Sequence, residues 1–366
     1  AGLFFKDLSV KTEESDRNPA GANSFTAPDL RFVGVGGGKL AAIVANDVEY
    51  SIARSAAARA QMAQNMGPAG ALLTGPLAGL VAPDNARFAM KSFTWKGIDF
   101  SGLLAYGLKG EKPPVTAKEL IDLGTIQMAD ANTYISGRKA CHTDQTNVTA
   151  MQFSWLVPSK IHAESKGGEC DYTAYVDPSD DKTIAVLKSH GLDDVKGDSN
   201  LDWAWDTVKG DAGLGVNFNS KALADFSLAL NLAGMDLAKI KAAEDAGDKD
   251  AVMKVGSFKG FDLKLAEHNL LDAIYELAAL QQGGAAADIR QSIPAMVRLS
   301  GAQITSQIPQ AKEYVDAIAD FLGEGGTIEI SALPKQPVPF EKIKETGAAG
   351  PKGVPDLLNL KVTHTK

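Results

Sequence analysis

Two cysteines and five histidines are the residues of this chain that could most directly carry chemistry. The cysteines are Cys141 and Cys170, and the histidines stand at positions 142, 162, 190, 268 and 364. Because His142 and His162 lie near the cysteines in sequence, a Cys2His2 metal site is one interpretation, although the spacing fits no familiar zinc pattern. The flanks of both cysteines favour strands, and neighbouring antiparallel strands can bring two sulfurs within bonding range. We therefore predict a disulfide between Cys141 and Cys170, and no metal.

The motifs that commonly mark catalytic and cofactor sites are missing from the sequence. There is no Gly-x-Ser-x-Gly, His-Glu-x-x-His or Cys-x-x-Cys, and no two histidines are four residues apart. The glycine-rich stretch 34–38 lacks the spacing and the Lys-Ser/Thr of a nucleotide loop, so it predicts a hairpin turn. The sequence thus predicts no catalytic residue and no cofactor. An exported hydrolase stays a weaker alternative, because catalytic groups can be dispersed along a chain.

Two other features could contact a ligand. Trp203 and Trp205 share one face of a predicted strand, where they either pack in the core or stack on a ligand. Residues 60–83 carry no charge and are rich in leucine, which predicts either an internal plug or an exposed apolar lip. The candidate ligand-binding residues are Leu72, Leu73, Leu77, Leu80, Trp203 and Trp205.

Composition narrows the class of protein. The 366 residues are 45% hydrophobic and 22% charged, as in a folded globular protein. The net charge is -8 and no basic run exceeds two residues, which argues against a nucleic-acid partner. A start at Ala1 fits a mature protein whose export signal has been removed, with a trimmed chain or a deleted membrane anchor as the alternative. We therefore expect a periplasmic or otherwise exported protein.

A degenerate repeat suggests how the chain is built. The pattern glycine, apolar, aspartate, apolar occurs at 97–100, 234–237 and 260–263. It is typical of a strand that kinks at glycine and continues with its two apolar side chains on one face. The sequence thus predicts a sheet made of degenerate strand repeats.

The first two thirds of the chain read mainly as strands. Alternation predicts strands over 3–10, 29–35, 39–52, 87–94, 98–106 and much of 125–176 and 192–237. An Ala-rich helix is predicted over 51–66, and Thr116 with Glu119 suggests a capping box that opens a helix ending at Leu123. A further helix is predicted between Asp181 and Gly191.

The last third changes to helical periodicity. Helices are predicted over 270–280, 286–299 and 309–322, with a kink at Pro294, followed by a strand over 327–332 and a Pro-rich tail. The predicted fold class is α+β: a large curved antiparallel sheet, with a helical layer supplied mainly by the C-terminal third. We expect two units, 1–176 and 177–366, or one continuous sheet.

The C-terminal half carries a family resemblance. Residues 187–195 and 201–206, then 228–237, combine a helix, a Gly-apolar-Asp step and strands that meet at Trp-Asp. Together with the stretch 323–340, they resemble exported proteobacterial proteins related to the AsmA-like and YdgA-like envelope families. The resemblance covers mainly 180–345 and implies a β-rich, groove-forming protein that handles lipid.

These observations favour a non-enzymatic envelope protein. Its sheet would hold lipid or another apolar ligand against alternating apolar side chains. Contact with a membrane surface is compatible with this function. An alternative is a structural or assembly subunit whose apolar segments bury against an envelope protein partner.

Overall fold

Strands dominate the structure, a computed structural model that describes residues 2–13, 22–55, 57, 85–308, 310–350 and 352–366. The strands are β1 Gly2–Thr12, β2 Ala22–Gly36, β3 Lys39–Ala53, β4 Asn85–Asp99, β5 Lys118–Asp122, β6 Thr125–Ile135, β7 Arg138–Ser154, β8 Val157–Cys170, β9 Val195–Asp206, β10 Asp211–Asn219, β11 Ala224–Ala233, β12 Ser257–Glu267, β13 Thr327–Ala332, β14 Val338–Pro339 and β15 Leu360–Thr365. Residues 51–53 belong to β3 and not to the helix predicted over 51–66, because they pair with β2 and β4; most of the rest of that helix, and all of 60–83, lies outside the described residues.

Helices occur mainly in the last third of the chain. They are α1 Ser101–Lys109, α2 Asp181–Ser189, α3 Leu237–Asp245, α4 Ala251–Val255, α5 Leu270–Gln282, α6 Ala286–Gln307, α7 Ala311–Glu324, α8 Phe340–Ala348 and α9 Gly353–Leu358, with a 3-10 turn at Tyr172–Tyr175. The predicted α+β class, with an antiparallel sheet and mostly C-terminal helices, is confirmed.

The strands within the described ranges hydrogen-bond into one sheet. Its order is β1-β2-β3-β4-β5-β7-β8-β9-β10-β11-β12-β13-β15, while β6 pairs with β4 and β7, and β14 pairs with β12. Every pairing with a defined register is antiparallel. By contacts the chain divides into unit 1 (1–99, 123–148 and 165–198) and unit 2 (100–122, 149–164 and 199–366).

A line of left-handed residues crosses the strands of unit 1. Asp7, Asp47, Asp130 and Gly167 have φ between 50° and 64° and lie on β1, β3, β6 and β8. The register places ordinary residues between them, such as Pro28 opposite Asp7, and Lys91 between Asp47 and Asp130. We call this line the crease. Aspartate tolerates the left-handed conformation better than most residues, which explains its recurrence there.

In unit 2 the helices cover one side of the last strands. Leu271, Tyr275, Ala279, Ile289, Phe321 and Ile328 form a buried cluster. Leu265 and Val362, from β12 and β15, pack against it, so α5, α6 and α7 share a core with the strands. Tyr275 lies almost fully buried, and its hydroxyl donates a hydrogen bond to the carbonyl oxygen of Leu322.

Several predictions of local structure are wrong where tertiary pairing or a glycine decides the outcome. The strand predicted over 98–106 is helix α1 from Ser101, which ends at a left-handed Gly110. The helix predicted from Thr116 is strand β5, because Lys118 and Asp122 pair with Ser154 and Gln152 of β7. A local capping pattern contains no information about a strand partner that lies at least 30 residues away in the sequence.

The repeated tetrapeptides behave differently from one another. Gly97 and Gly234 adopt φ of 76° and 70° at the ends of strands, and a helix follows each. Asp236 caps α3 by accepting a hydrogen bond from the backbone N–H of Lys239. The third copy, from Gly260, continues as part of β12 without a positive φ. The predicted repeat of a strand that kinks at glycine and continues is therefore wrong, because the strand ends close to Gly97 and Gly234 and continues only past Gly260, where the register with β11 shifts.

Candidate functional site

The strands of unit 1 place apolar side chains in rows across one face. Residues directly opposite each other in paired strands point to the same side of a sheet. One row runs through Phe5, Leu30, Ala45, Phe93 and Met128, and the row beside it through Leu3, Phe32, Ile43, Trp95 and Ile126. Beyond the crease the rows are Leu8, Ala27, Val48, Met90 and Ala131, then Val10, Phe25, Tyr50, Phe88 and Thr133.

The crease keeps these four rows on the same side. In regular alternation Ala45 and Val48, three residues apart, would point to opposite faces. They nevertheless belong to one buried cluster with Ala27, against which Leu30 and Met90 pack. The left-handed residue Asp47 between them shifts the alternation by one position. The four rows therefore form one surface, which we call the apolar face.

Much of the apolar face is open to solvent. Ala27, Ala45 and Val48 at its centre are buried, whereas Leu3 is 58% exposed and Phe5 is 41% exposed. At its other end Val10 and the stacked pair Tyr50 and Phe88 are also exposed. Monomeric proteins seldom leave a large contiguous apolar surface in water unless it binds something.

The opposite face of the same strands is polar. Lys6 lies opposite Asp29 in the register of β1 and β2. Arg87 Nη1 lies 2.8 Å from Glu49 Oε1, in an ion pair between β3 and β4. Unit 1 thus has one apolar face and one mainly polar face, although Phe4 and Val33 lie exposed on the polar one.

Polar groups terminate the apolar face at one end. The hydroxyl of Tyr50 donates a hydrogen bond of 3.0 Å to Asn23 Oδ1, and Asn23 Nδ2 donates to Thr12 Oγ1 at 3.5 Å. A cleft of about 510 Å³ opens at this end, lined by Thr12 and Asn23 of the apolar side and by Lys11 and Arg87 of the polar face. A molecule lying on the apolar face would therefore meet hydrogen-bonding groups at this edge.

The predicted tryptophan pair lies in unit 2, not on the apolar face. Trp203 and Trp205 are half-buried, with ring centroids 6.5 Å apart. Their indole N–H groups donate to the carbonyl oxygens of Pro158 and Met235 at 2.9 and 2.8 Å. These bonds favour a packing role, and ligand stacking by the pair stays a prediction. The other candidates, Leu72, Leu73, Leu77 and Leu80, lie outside the described residues.

The aspartates beside the tryptophans also have structural partners. His162 Nδ1 lies 2.6 Å from Asp202 Oδ1, and this hydrogen bond lowers the pKa of Asp202. Asp206 accepts hydrogen bonds from the backbone N–H groups of Lys209 and Val208, which lower its pKa and close the turn after β9. Both carboxylates are thus held by hydrogen bonds within the fold.

The predicted disulfide is confirmed. Cys141 of β7 and Cys170 of β8 are bonded to each other. The bond consumes both thiols that a Cys2His2 metal site would need. It is also compatible with an exported protein, because disulfides persist in oxidising compartments.

The residues of the apolar face were missed as a site by sequence reasoning. Their alternation is visible within 3–10 and 39–52, but it shifts at the crease, so Leu30 and Ala27 look as if they faced opposite sides. The available signal was the aspartate or proline at the shifts of β1, β2 and β3, at Asp7, Pro28 and Asp47, whereas the shift on β4 falls at Lys91.

Comparison with known proteins adds little about function. A protein-family model described as "Uncharacterized protein" matches residues 217–365, less than half of the chain and entirely within unit 2. No curated protein matches this chain. Among the described residues, no helix has both the length and the apolarity needed to cross a membrane.

Proposed function

We propose that this protein is a non-enzymatic, periplasmic envelope protein that binds or carries lipid or another apolar ligand on the apolar face of unit 1. The observation that carries the proposal is the apolar surface formed by four rows of side chains, which is buried at its centre and exposed at both ends. Burying such a surface is favourable by roughly 25 cal/mol per Å² of apolar area. An extended hydrocarbon chain is the natural occupant of a surface built from parallel apolar rows.

The polar end of the apolar face favours an amphiphile over a pure hydrocarbon. A polar head group could form hydrogen bonds with the side chains of Thr12, Asn23 and Tyr50 while the hydrocarbon part of the ligand lies on the apolar rows. The AsmA-like resemblance and the disulfide support the same assignment and the periplasmic location. The assembly-subunit alternative would bury the same surface against a protein.

The proposal can be tested with two adjacent phenylalanines that lie on opposite faces. Phe5 lies on the apolar face, while Phe4 lies on the polar face and is 59% exposed. We expect Phe5→Asp and Phe88→Asp to weaken binding of a fluorescent C16 fatty-acid analogue by about tenfold or more, because each places a charge against the chain. Phe4→Asp is the matched control and should bind as the unmodified chain does.

Circular dichroism and thermal melting of all three variants would verify that the fold is retained. Equal fatty-acid binding by Phe4→Asp and Phe5→Asp would contradict the proposed location. A complete lack of binding, together with no lipid in native mass spectra of protein purified from its own host, would favour the assembly subunit instead.

A further inference from the structure

The disulfide of unit 1 lies on the apolar face. Phe88, Thr133 and Cys141 stand opposite one another in turn on β4, β6 and β7, so Cys141 continues an apolar row. Its partner Cys170 is the last residue of β8. The chain then enters the 3-10 turn Tyr172–Tyr175, which begins two residues later. The covalent bond is therefore located where the apolar face meets this turn.

The 3-10 turn covers part of the same face. Ala86 lies two residues before Phe88 on β4, hence on the same side of the sheet, and directly opposite Ile135 of β6. Ala86 and Ile135 form a buried cluster with Ala140 and with Ala174 of the turn. Phe88, by contrast, is 38% exposed. The turn thus occupies apolar surface that would otherwise extend the exposed part of the face.

Two kinds of attachment hold the 3-10 turn in place. Before its start, the disulfide fixes Cys170, and the backbone N–H of Asp171 donates a hydrogen bond of 2.7 Å to the carbonyl oxygen of Ala140. Toward its end, the guanidinium of Arg138 donates to three carbonyl oxygens within residues 173–176. The disulfide is the attachment in this set that a reductant can break.

Strand pairing keeps the two sulfur atoms close when their bond is broken. Strands β7 and β8 are neighbours in the sheet, and the hydroxyl oxygens of Thr146 and Ser165 lie 2.9 Å apart between them. Neither Cys141 nor Cys170 is fully buried, so a small reductant can approach the bond. Because the strands remain paired in the reduced chain, the disulfide can form again.

We propose that the Cys141–Cys170 disulfide is a redox-sensitive latch that regulates access to the apolar face. A dithiol reductant attacks one of the two sulfur atoms as a thiolate, which breaks the S–S bond and forms a mixed disulfide. The second thiol of the reductant then displaces the other cysteine, and the reductant leaves as a cyclic disulfide. Two electrons and two protons have passed to the cysteines.

Reduction loosens the start of the 3-10 turn, which then keeps only the hydrogen bond between Asp171 and Ala140 there. The turn opens more often and uncovers Ala86 and Ile135, next to the exposed Phe88. The oxidised chain keeps this surface covered. The effect on ligand binding rests on the proposed function of the apolar face, whereas the opening of the turn does not.

Hydrogen exchange and fatty-acid binding test the latch on the full chain. We expect dithiothreitol to convert both cysteines to thiols without loss of the circular dichroism spectrum. Amide exchange within 171–176 should become at least about tenfold faster, because the local opening is less costly. Exchange within 39–53, the strand β3, should stay the same. Affinity for the fluorescent C16 fatty-acid analogue should rise about threefold or more, since more apolar surface is open to it.

A double variant provides the matched control. The chain with Cys141→Ser and Cys170→Ser should exchange and bind as the reduced chain does, and dithiothreitol should leave it unchanged. Reoxidation of the unmodified chain should restore slow exchange within 171–176 and the lower affinity.

Four outcomes would overturn the proposal. They are a disulfide that dithiothreitol does not reduce in the folded chain, loss of the whole fold on reduction, equal exchange within 171–176 in both redox states, and equal fatty-acid affinity despite faster exchange. If the chain binds no fatty acid in either state, the proposed function fails, and exchange within 171–176 alone decides whether the turn is latched.

Discussion

Single residues with positive φ determine where the strands of unit 1 bend and turn. Gly124 has φ of 62°, and a Cβ atom there would lie 1.9 Å from the carbonyl oxygen of Lys96. Gly137 has φ of 82°, but its Cβ position has open space around it. A comparison of alanine substitutions at Gly124 and Gly137 therefore distinguishes the free-energy cost of a left-handed backbone from the cost of a steric clash.

We expect Gly124→Ala to destabilise the protein by more than about 3 kcal/mol, because the backbone of β4 would have to move. Gly137→Ala is the matched control. It should lower the free energy of unfolding by only about 1 kcal/mol, because alanine disfavours the left-handed conformation but meets no neighbouring atom there. Urea unfolding of both variants measures the difference. Equal losses of stability would show that the approach of Gly124 to Lys96 contributes nothing.

At the scale of elements, long alternating or periodic segments could be predicted from the sequence. Elements and surfaces that depend on contacts between distant segments could not. Strand β3 and helix α5 follow from their periodicity, and α2 from its cap, where Asp180 accepts a hydrogen bond from the N–H of Thr183. Helix α3 was missed because no element was predicted between Leu237 and Gly260, although Asp236 is a residue type that favours a helix N-cap. The apolar face was missed because it forms only when five strands align their shifts at the crease.

The helices of unit 2 provide a second matched pair. The helical periodicity of the sequence predicts that both Ile274 and Ile318 face the sheet, and this prediction is wrong for Ile274, which is 46% exposed on α5. Its helix turns Leu271 and Tyr275 inward instead. Ile318 of α7 does pack against the buried cluster.

Substitution by aspartate should therefore have different effects at these two positions. We expect Ile318→Asp to lower the free energy of unfolding by about 3 kcal/mol or more, because a charge would enter the buried cluster. Ile274→Asp should change stability by less than about 1 kcal/mol, since its carboxylate can stay hydrated. Thermal melting followed by circular dichroism provides the measurement, and a larger loss for Ile274→Asp would refute this packing.

At the scale of the whole molecule, binding and stability are linked if the apolar face holds a ligand. A ligand that binds only the folded chain, at a free concentration of 100 times its Kd, stabilises it by about 2.7 kcal/mol. We expect palmitate to raise the melting temperature of the transition that unfolds unit 1 by a few degrees. The Phe5→Asp chain should show a smaller rise, and an unchanged transition in the unmodified chain at saturating palmitate would contradict binding.

The crease has a consequence for how such a sheet can change in length. Within the crease, left-handed residues recur on every second strand from β1 to β8, so the smallest segment that can be copied or deleted without interrupting the crease is a hairpin. Loss of one strand would pair two strands that both have, or both lack, a left-handed residue in the crease. Their alternation would then no longer match, and apolar side chains would turn toward water. Relatives with this architecture should therefore differ by even numbers of strands, and the hairpin is the piece of sequence that evolution can duplicate.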